Sequence, residues 1–414
     1  NAGIYSLSHI YLTDLSGILQ SSESRLYTNQ IVHEMDDTKR KNVPIHMDMP
    51  GWSETIGCFN ESKFKIKKFN IDTRIDAHKV YLRADMTMYP PNEASMYMQT
   101  LPAHELRNAG GFMNISRPVF SNQKLAIQAR IDYYRLSIYN GFGADQLSAF
   151  NINVNEHINN ILKSFAINWS IRLNQSWSAG MQVSTGERIA SSNERLGFYL
   201  FNRFDAFDYL GNIKLKNEKS NQIEMSISFM KEKFTCNSKL FFHHNPDAIY
   251  AVALPGYSPM TYMANGVKTY TNIDFARYMG FETAFKLSII DDIKYMGSFR
   301  YTYSTNSFNY AMPLTPPFKF QNCIQWTTNK NNIQFETDLV SAQNRVNPDF
   351  LEKKSPGFIL SNFRYSRNMK IKKTDIQFML AIENLFNKNY YEHLDIMKIA
   401  RPGRNFIFGF NLSY

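Results

Sequence analysis

Apolar and polar residues alternate along this chain in runs of about ten residues, a pattern that predicts β-strands from end to end. Such runs occur near residues 125–133, 165–174, 222–229, 297–303 and 376–382. We count about seventeen of them. The clearest is the closing run, where Phe406, Phe408, Phe410, Leu412 and Tyr414 alternate with Ile407, Gly409, Asn411 and Ser413.

The polar face of these predicted strands favours a membrane barrel over a soluble sandwich. It carries charged residues such as Arg130, Asp132, Glu224 and Arg300. The runs are also longer than the five or six residues typical of soluble strands. An apolar face toward lipid and a polar face toward a wet interior explain both observations. We therefore predict an all-β fold, a transmembrane antiparallel β-barrel.

Connections between the runs are of two kinds. Residues 174–176 and 329–331 are short and polar, as periplasmic turns are. Long connections predict extracellular loops, and no linker divides the chain, so we expect a single barrel domain over residues 1–414. The predicted long connections are 36–54, 88–107, 140–160, 188–221, 252–267 and 304–318.

Composition agrees with this picture and excludes several functions. Aromatic residues make up 14% of the chain, and no run of 18 apolar residues predicts a transmembrane helix. The net charge of +10 is scattered rather than gathered into one face, so we expect no nucleic-acid partner. Three separated cysteines indicate neither a zinc site nor a disulfide framework. The chain contains no GxSxG, HExxH or Walker motif, so we predict that it is not an enzyme.

His33 and Met35 are the strongest candidates for metal binding. They lie two residues apart on a predicted strand, so both side chains leave the same face. Imidazole and thioether groups suit copper, Cu(I) especially. His46, Met47 and Met49 follow in the next connection and extend the candidate set. The alternative is that His33 and Met35 simply line the barrel wall.

Methionine is abundant, with 19 residues, and several are paired. Met86 with Met88 and Met96 with Met98 each put two thioethers on one face or loop edge. Such pairs suit transient capture of a soft metal. We favour the plainer interpretation for these two pairs, in which methionine fills gaps between loops or faces lipid.

Three segments resemble the signature sequences of TonB-dependent outer-membrane receptors. Leu210–Glu218, with the sequence LGNIKLKNE, resembles their GNPxLKPE segment. Asn272-Ile273-Asp274, followed by Gly280 and Glu282, resembles a later strand. Glu383–Tyr390, with the sequence ENLFNKNY, and Pro402-Gly403-Arg404 resemble their closing NLFDKxY and PGR motif. The resemblance implies the larger part of a 22-stranded barrel, in the outer membrane, without the plug domain and the first barrel strands.

Two further segments resemble the copper-receptor subgroup of that family. Tyr27–Asp37 is similar to its YYNxVxHxMD strand, and Tyr391–Leu394 to its YxEHL motif. The resemblance implies that His33 and Met35 form part of a copper site, with copper as the transported ligand and no resident cofactor. The receptor resemblance implies a TonB-type energy-coupling protein acting through a plug outside this sequence. The apolar strand faces predict outer-membrane lipids as partners, and the terminal Tyr414 resembles the C-terminal signal read by the barrel-assembly machinery. A further chain that completes the barrel is another expected partner.

Two other functions remain open from the residues. One is a receptor for a siderophore or corrinoid, and the other is a plug-free pore or structural barrel within a complex. An odd strand count leaves an unpaired edge, which lipid does not tolerate. We therefore expect the closing strand to pair with residues 373–386 on one side and with a segment not encoded here on the other.

Overall fold

The structure is a computed structural model that describes residues 2–12, 17–37, 39–40, 42–150, 152, 157–371 and 374–413. Within these residues nearly all regular structure is strand. The long strands are β1 Ala2–Leu12, β2 Leu19–Asp36, β3 His46–Ile66, β4 Phe69–Tyr89, β5 Met96–Phe120, β6 Gln123–Ile138, β7 Ile158–Arg172, β8 Trp177–Arg188, β11 Glu218–Lys231, β12 Phe234–Ala253, β13 Val267–Ile290, β14 Ile293–Asn306, β15 Lys319–Thr327, β16 Asn331–Val340, β17 Phe358–Ile371, β18 Thr374–Glu383 and β19 Asn405–Ser413. Two short strands, β9 Leu200–Asn202 and β10 Phe207–Leu210, precede β11.

Helical structure in the described residues is confined to connections. It comprises α1 Phe142–Ala149, α2 Ser192–Leu196 and one 3₁₀ turn, Pro348–Phe350. None of these helices is long and apolar enough to cross a membrane. The long strands number seventeen within the described chain, which agrees with the sequence-based count.

The chain divides into two compact units. Unit 1 contains Asn1–Trp169, Val183–Asn221 and Asn245–Phe275, and unit 2 contains Ser170–Gln182, Gln222–His244 and Ala276–Tyr414. The prediction that residues 1–414 form a single domain stays a prediction.

In unit 1, strands β1 to β6 pair in chain order, each antiparallel to the next. Strands β2 to β5 run to between 18 and 25 residues, whereas a tilted strand needs only about 9–11 residues to cross a bilayer. The predicted long connections 36–54 and 88–107 are therefore wrong. They shorten to 37–45 and 90–95, because strand pairing continues where the apolar alternation has already ended.

The apolar face of unit 1 is exposed, as the alternation predicts. On β6, Ile127, Ile131 and Tyr133 are 41%, 60% and 46% exposed. Asp132, on the opposite face of the same strand, is buried. Large apolar side chains that have no protein packed on them are what a lipid-facing surface presents.

Arg130 dominates the polar face of unit 1 and reaches across a whole strand. Its guanidinium donates to Asp76 on β4 at 2.9 and 3.1 Å and to Asp132 on its own strand β6 at 2.7 Å. Strand β5 lies between them, and its residue opposite both carboxylates is Gly110. A Cβ at Gly110 would overlap the Asp132 carboxylate and lie 2.6 Å from Arg130 Nη2. The missing side chain therefore makes room for the ion pairs.

The main apolar core of unit 1 lies beneath α1, α2 and the connections around them. Small and aromatic side chains from these connections cover buried methionines at the ends of β4 and β5. The buried members are Met86, Met88, Met98, Leu101, Leu136, Ala144, Leu147, Leu196, Phe198, Tyr199, Leu210 and Val267. The long connections of unit 1 are thus packed structures.

In unit 2, strands β14 to β19 pair in chain order, each antiparallel to the next. The closing strand β19 pairs with β18, which confirms the predicted pairing with residues 373–386. Phe406, Phe408 and Phe410 are 56%, 68% and 72% exposed, and the Phe410 ring lies 5.4 Å from that of Phe378. The apolar face of the closing strand therefore points away from protein. Tyr414 lies outside the described residues.

Connections in unit 2 alternate in length. The predicted turn at 174–176 is confirmed, since Asn174 Oδ1 accepts hydrogen bonds from the backbone N–H of Ser176 and Trp177 at 2.8 and 2.9 Å. At the other end of the strands are the long connections 307–318, 341–357 and 384–404. Sequence reasoning did not predict the last two as loops.

Candidate functional site

The structure brings four of the five predicted metal ligands to one face of strands β2 and β3. In the β2–β3 register, Met35 lies directly opposite Met49, and His33 opposite Gly51. Directly opposed residues have Cβ atoms about 4.5–5.5 Å apart and point to the same side of the sheet. Met47 shares this face because it is two residues from Met49. His33, Met35, Met47 and Met49 therefore face the same side.

Further methionines continue this arrangement across two more strands. Met47 on β3 lies opposite Met88 on β4, and Met88 lies opposite Met96 on β5. Met86 and Met98 form a second opposed pair between β4 and β5. We call this set the methionine row: Met35, Met47, Met49, Met86, Met88, Met96 and Met98.

Burial divides the methionine row. Met86, Met88 and Met98 are 4%, 3% and 2% exposed and belong to the apolar core. This burial agrees with the gap-filling interpretation of these residues. Met35, in contrast, is 51% exposed, and His33 is exposed beside it. An accessible imidazole and thioether therefore lie together at the β2 edge of the row, while Met96, at its β5 end, is 39% exposed.

His46 is not brought together with the other candidates. It precedes Met47 at the start of β3, so its side chain leaves the opposite face. His46 Nδ1 lies 3.0 Å from Asp37 Oδ1, and the same oxygen accepts the Met47 backbone N–H at 3.1 Å. These contacts fix the start of β3.

The donor set near His33 is soft. Among the described residues no group of three or more His, Cys, Asp and Glu side chains could hold a metal ion. A site on this face would use imidazole and thioether groups, which favour Cu(I) over hard cations such as Mg²⁺ and Ca²⁺.

A second cluster, in unit 2, contains a buried serine, histidine and glutamate. His393 Nε2 lies 3.0 Å from Glu352 Oε1, and His393 Nδ1 lies 3.0 Å from Ser355 Oγ. The side chains of Glu352 and His393 are each 1% exposed. A substrate cannot reach such a site, so the cluster holds the connections 341–357 and 384–404 together. His393 is the histidine of the YEHL segment, which thereby acquires a structural role.

Glu352 fixes strained backbone as well. Its carboxylate accepts the backbone N–H of Leu314 at 2.8 Å and that of Asn347 at 2.7 Å. Leu314 and Leu351, the residue before Glu352, have φ of 57° and 50°, a region that L-residues other than Asn and Asp rarely adopt. One buried carboxylate therefore ties together all three long connections of unit 2.

Acid is expected to release this cluster. Burial opposes ionisation of Glu352, but hydrogen bonds from His393, Asn347 and Leu314 outweigh it and hold the pKa of the carboxyl below its usual range. A depressed folded-state pKa contributes stability above the ordinary glutamate value of about 4.3 and loses it as pH falls. Protease cleavage in 341–357 should therefore accelerate below about pH 4.3. The Glu352→Gln variant should show a flatter dependence between pH 7 and pH 3, read with an acid-tolerant protease, and equal slopes would contradict this assignment.

The motif residues of the closing connection stabilise a loop. Asn384 accepts the backbone N–H of Lys388 at 2.7 Å and donates to the carbonyls of Lys388 and Pro402 at 2.8 and 3.3 Å. Asn387 Oδ1 accepts the Arg404 backbone N–H at 3.0 Å. The ENLFN and PGR segments are thus joined by hydrogen bonds.

The GN pair of the earlier motif has a comparable role in unit 1. The Gly211 N–H donates to the Gly197 carbonyl at 2.7 Å, and the Asn212 N–H to the Glu194 carbonyl at 2.9 Å. Asn212 Nδ2 also donates to the Tyr270 carbonyl at 2.9 Å. The motif therefore seats α2 against the start of β13.

Outer-membrane β-proteins contain sheets of long antiparallel strands that have one exposed apolar face and one charged face. The strands of this chain have these properties. The chain belongs to the family described as TonB dependent receptor-like, beta-barrel, whose model matches residues 82–385. This result confirms the predicted family and all-β fold class. The family comprises outer-membrane transport receptors that couple to TonB, and its members are not enzymes.

Solved receptor structures have the same fold. The copper transporter OprC is 19% identical with a TM-score of 0.80, covering 98% of this chain and 64% of that one. The ferric citrate transporter FecA is 13% identical with a TM-score of 0.69, and the match covers 100% of this chain and 61% of that one. The ferric yersiniabactin uptake receptor FyuA from Yersinia pestis is 12% identical with a TM-score of 0.64, and the match covers 99% of this chain and 59% of that one. At such identities the likeness shows the fold alone. The chain thus spans less than two thirds of these receptors, and it matches no curated protein.

Sequence reasoning missed Glu352 and Ser355. Glu352 is followed by two lysines, and Ser355 precedes a proline. Nothing in that pattern distinguishes them from surface residues. His393 was noticed only through the YEHL resemblance, and its partners come from a connection about 40 residues earlier.

Proposed function

We propose that this protein is the barrel part of an outer-membrane receptor that takes up copper, with transport energised by a TonB-type coupling protein. The observation that carries the proposal is the exposed pair His33 and Met35, which lies on one face of β2 with Met49 directly opposite Met35. Membership of the receptor family supports the transport role, and the likeness to a copper transporter supports the metal.

The arrangement suits capture of Cu(I) in three respects. Its donors are soft, so the site discriminates against hard cations by ligand type. Met35 is accessible, whereas Met88 and Met98 behind it are held in the core. Methionine adapts its three rotatable bonds to an incoming ion, so Met47 and Met49 at the half-buried boundary can follow the metal.

Titration of the purified protein with Cu(I), in competition with a chelator of known affinity, tests the proposal. Replacing both His33 and Met35 with alanine should weaken binding by more than about 100-fold, since even supporting residues of metal sites contribute 10–100-fold. His46→Ala is the matched control, because His46 faces the other side, and it should change little. Unchanged affinity in the double variant, or no Cu(I) binding by the parent protein, would refute the copper assignment.

A receptor for a ferric chelate is the second candidate. The contact that favours it is Arg345 in unit 2, whose guanidinium lies 3.7 Å above the Tyr303 ring, an arginine–aromatic pair suited to an anionic, planar ligand. Titration with ferric citrate and with a catecholate complex separates the two. Binding of either chelate that survives the His33 and Met35 substitutions would favour this candidate over copper.

A further inference from the structure

Two neighbouring hairpin ends of unit 1 carry positive charge alone. The end of the β3–β4 hairpin contributes Lys65, Lys67 and Lys68, and the end of the β5–β6 hairpin contributes Arg117 and Lys124. No aspartate or glutamate occurs in residues 62–71 or 116–126. All five cationic side chains are exposed. We call these five residues the basic rim.

Strand pairing places the two turns side by side. Strand β4 pairs with β5, and Asn70 lies opposite Ser116 at this end of the sheet. The Arg117 guanidinium lies 5.2 Å above the Phe69 ring, so side chains of the two hairpins are in direct contact. Lys67, Lys68 and Arg117 are therefore neighbours at this end of the sheet, whereas Lys65 and Lys124 leave its opposite face.

The charges of the basic rim are not neutralised within the described residues. None of its members has a carboxylate within salt-bridge distance there. Other cations of the same unit are paired: Arg83 with Asp85, and Arg130 with Asp76 and Asp132. Unpaired like charges repel each other, so an anionic partner would stabilise the patch by reducing this repulsion.

Apolar side chains on the outward face border the basic rim. Ile66, Phe69 and Phe120 are 42%, 36% and 63% exposed, and Ile115 is 37% exposed. A patch that is cationic at its edge and apolar directly beside it fits an amphiphile, with a phosphate at the cations and hydrocarbon over the apolar face.

We infer that the basic rim binds the headgroup phosphates of anionic glycerophospholipids, whose acyl chains lie over Ile66, Phe69 and Phe120. The inference rests on the proposed membrane location. Short turns of such barrels face the periplasm, so the lipids belong to the leaflet on that side. Lys67 and Lys68 provide the charge, and Arg117, stacked on Phe69, marks the boundary between headgroup and hydrocarbon.

Native mass spectrometry of the full chain, released from detergent with phosphatidylglycerol or phosphatidylcholine at equal concentration, tests the inference. The parent protein should retain phosphatidylglycerol preferentially. In the double variant Lys67→Gln with Lys68→Gln, the ratio of retained phosphatidylglycerol to phosphatidylcholine should fall roughly tenfold, because each surface cation contributes appreciably to binding an anionic membrane. The matched control is Lys353→Gln with Lys354→Gln, an equally exposed lysine pair on a long connection, which should retain it.

Each other outcome overturns the inference in a distinct way. Equal retention of both lipids, or an unchanged preference in the Lys67 and Lys68 variant, refutes the lipid site alone while copper titration and membrane insertion stand. Displacement of the lipid by millimolar inorganic phosphate reassigns the patch to a free anion. Extraction of the chain from proteoliposomes by alkaline carbonate would overturn the proposed membrane location and this inference together.

Discussion

Replacing Glu352 with alanine is expected to loosen the three long connections of unit 2 together and to cost about 3–5 kcal/mol of stability. The variant leaves the backbone N–H groups of Leu314 and Asn347 and the Nε2 of His393 without their acceptor in a buried setting. Each buried polar group left unsatisfied costs about 1–3 kcal/mol. It also removes the contact that holds Leu314 at positive φ.

Urea unfolding of the refolded protein, followed by tryptophan fluorescence, gives the loss of stability. Limited proteolysis locates it, and new cleavage should appear in 307–318, 341–357 and 384–404. Asp291→Ala is the control, because Asp291 is an exposed carboxylate in the short turn between β13 and β14. A Glu352→Ala protein with the parent's urea midpoint and cleavage pattern would show that the buried cluster does not organise these connections.

Replacing Gly211 with alanine is expected to displace α2 and to cost about 3 kcal/mol, the upper end of usual overpacking penalties. A Cβ at Gly211 would lie 2.5 Å from the Arg195 carbonyl carbon and 2.6 Å from the Leu196 nitrogen. Both are backbone atoms, so no rotamer change relieves the overlap. Arg195 is itself buried and donates to the Ile213 carbonyl at 2.8 Å, which prevents an easy shift.

Gly111→Ala is the matched control for this prediction. Gly111 lies within β5, and a Cβ there would meet nothing within 4 Å. Its urea midpoint should stay near that of the parent or rise slightly, whereas the Gly211→Ala midpoint should fall. Equal midpoints for the two alanine variants would contradict the close backbone contact between 195–196 and 211.

Strands and their exposed faces could be predicted from the sequence because lipid imposes a strict period of two on side-chain polarity. Phe406, Phe408 and Phe410 show that period, and their exposure in the structure follows from it. The prediction of long connections at 36–54 and 88–107 was wrong for the same reason. Beyond the bilayer nothing enforces the period, so paired strand there has the residue pattern of a loop.

The candidate site was only partly predictable. The two-residue spacing places His33 and Met35 on one face, since that is a local property of a strand. Register between strands is not local, so the positions of Met49 opposite Met35 and of Met88 opposite Met47 required the structure. The opposite orientation of His46 follows from β3 beginning at that residue, an element boundary that the sequence does not indicate.

The loop closed by Asn384 and Asn387 determines which residues of the final strand lie on which of its two faces. Arg404, held by Asn387 Oδ1, is followed directly by Asn405, the first residue of β19. A slip of one residue in a strand exchanges its two faces completely. Residues added between 389 and 401 would lengthen the loop before the Arg404–Asn387 hydrogen bond and leave the strand register unchanged. One residue added after Arg404 would instead turn the phenylalanines inward. The orientation of the closing strand toward lipid is thus decided by a polar loop outside it.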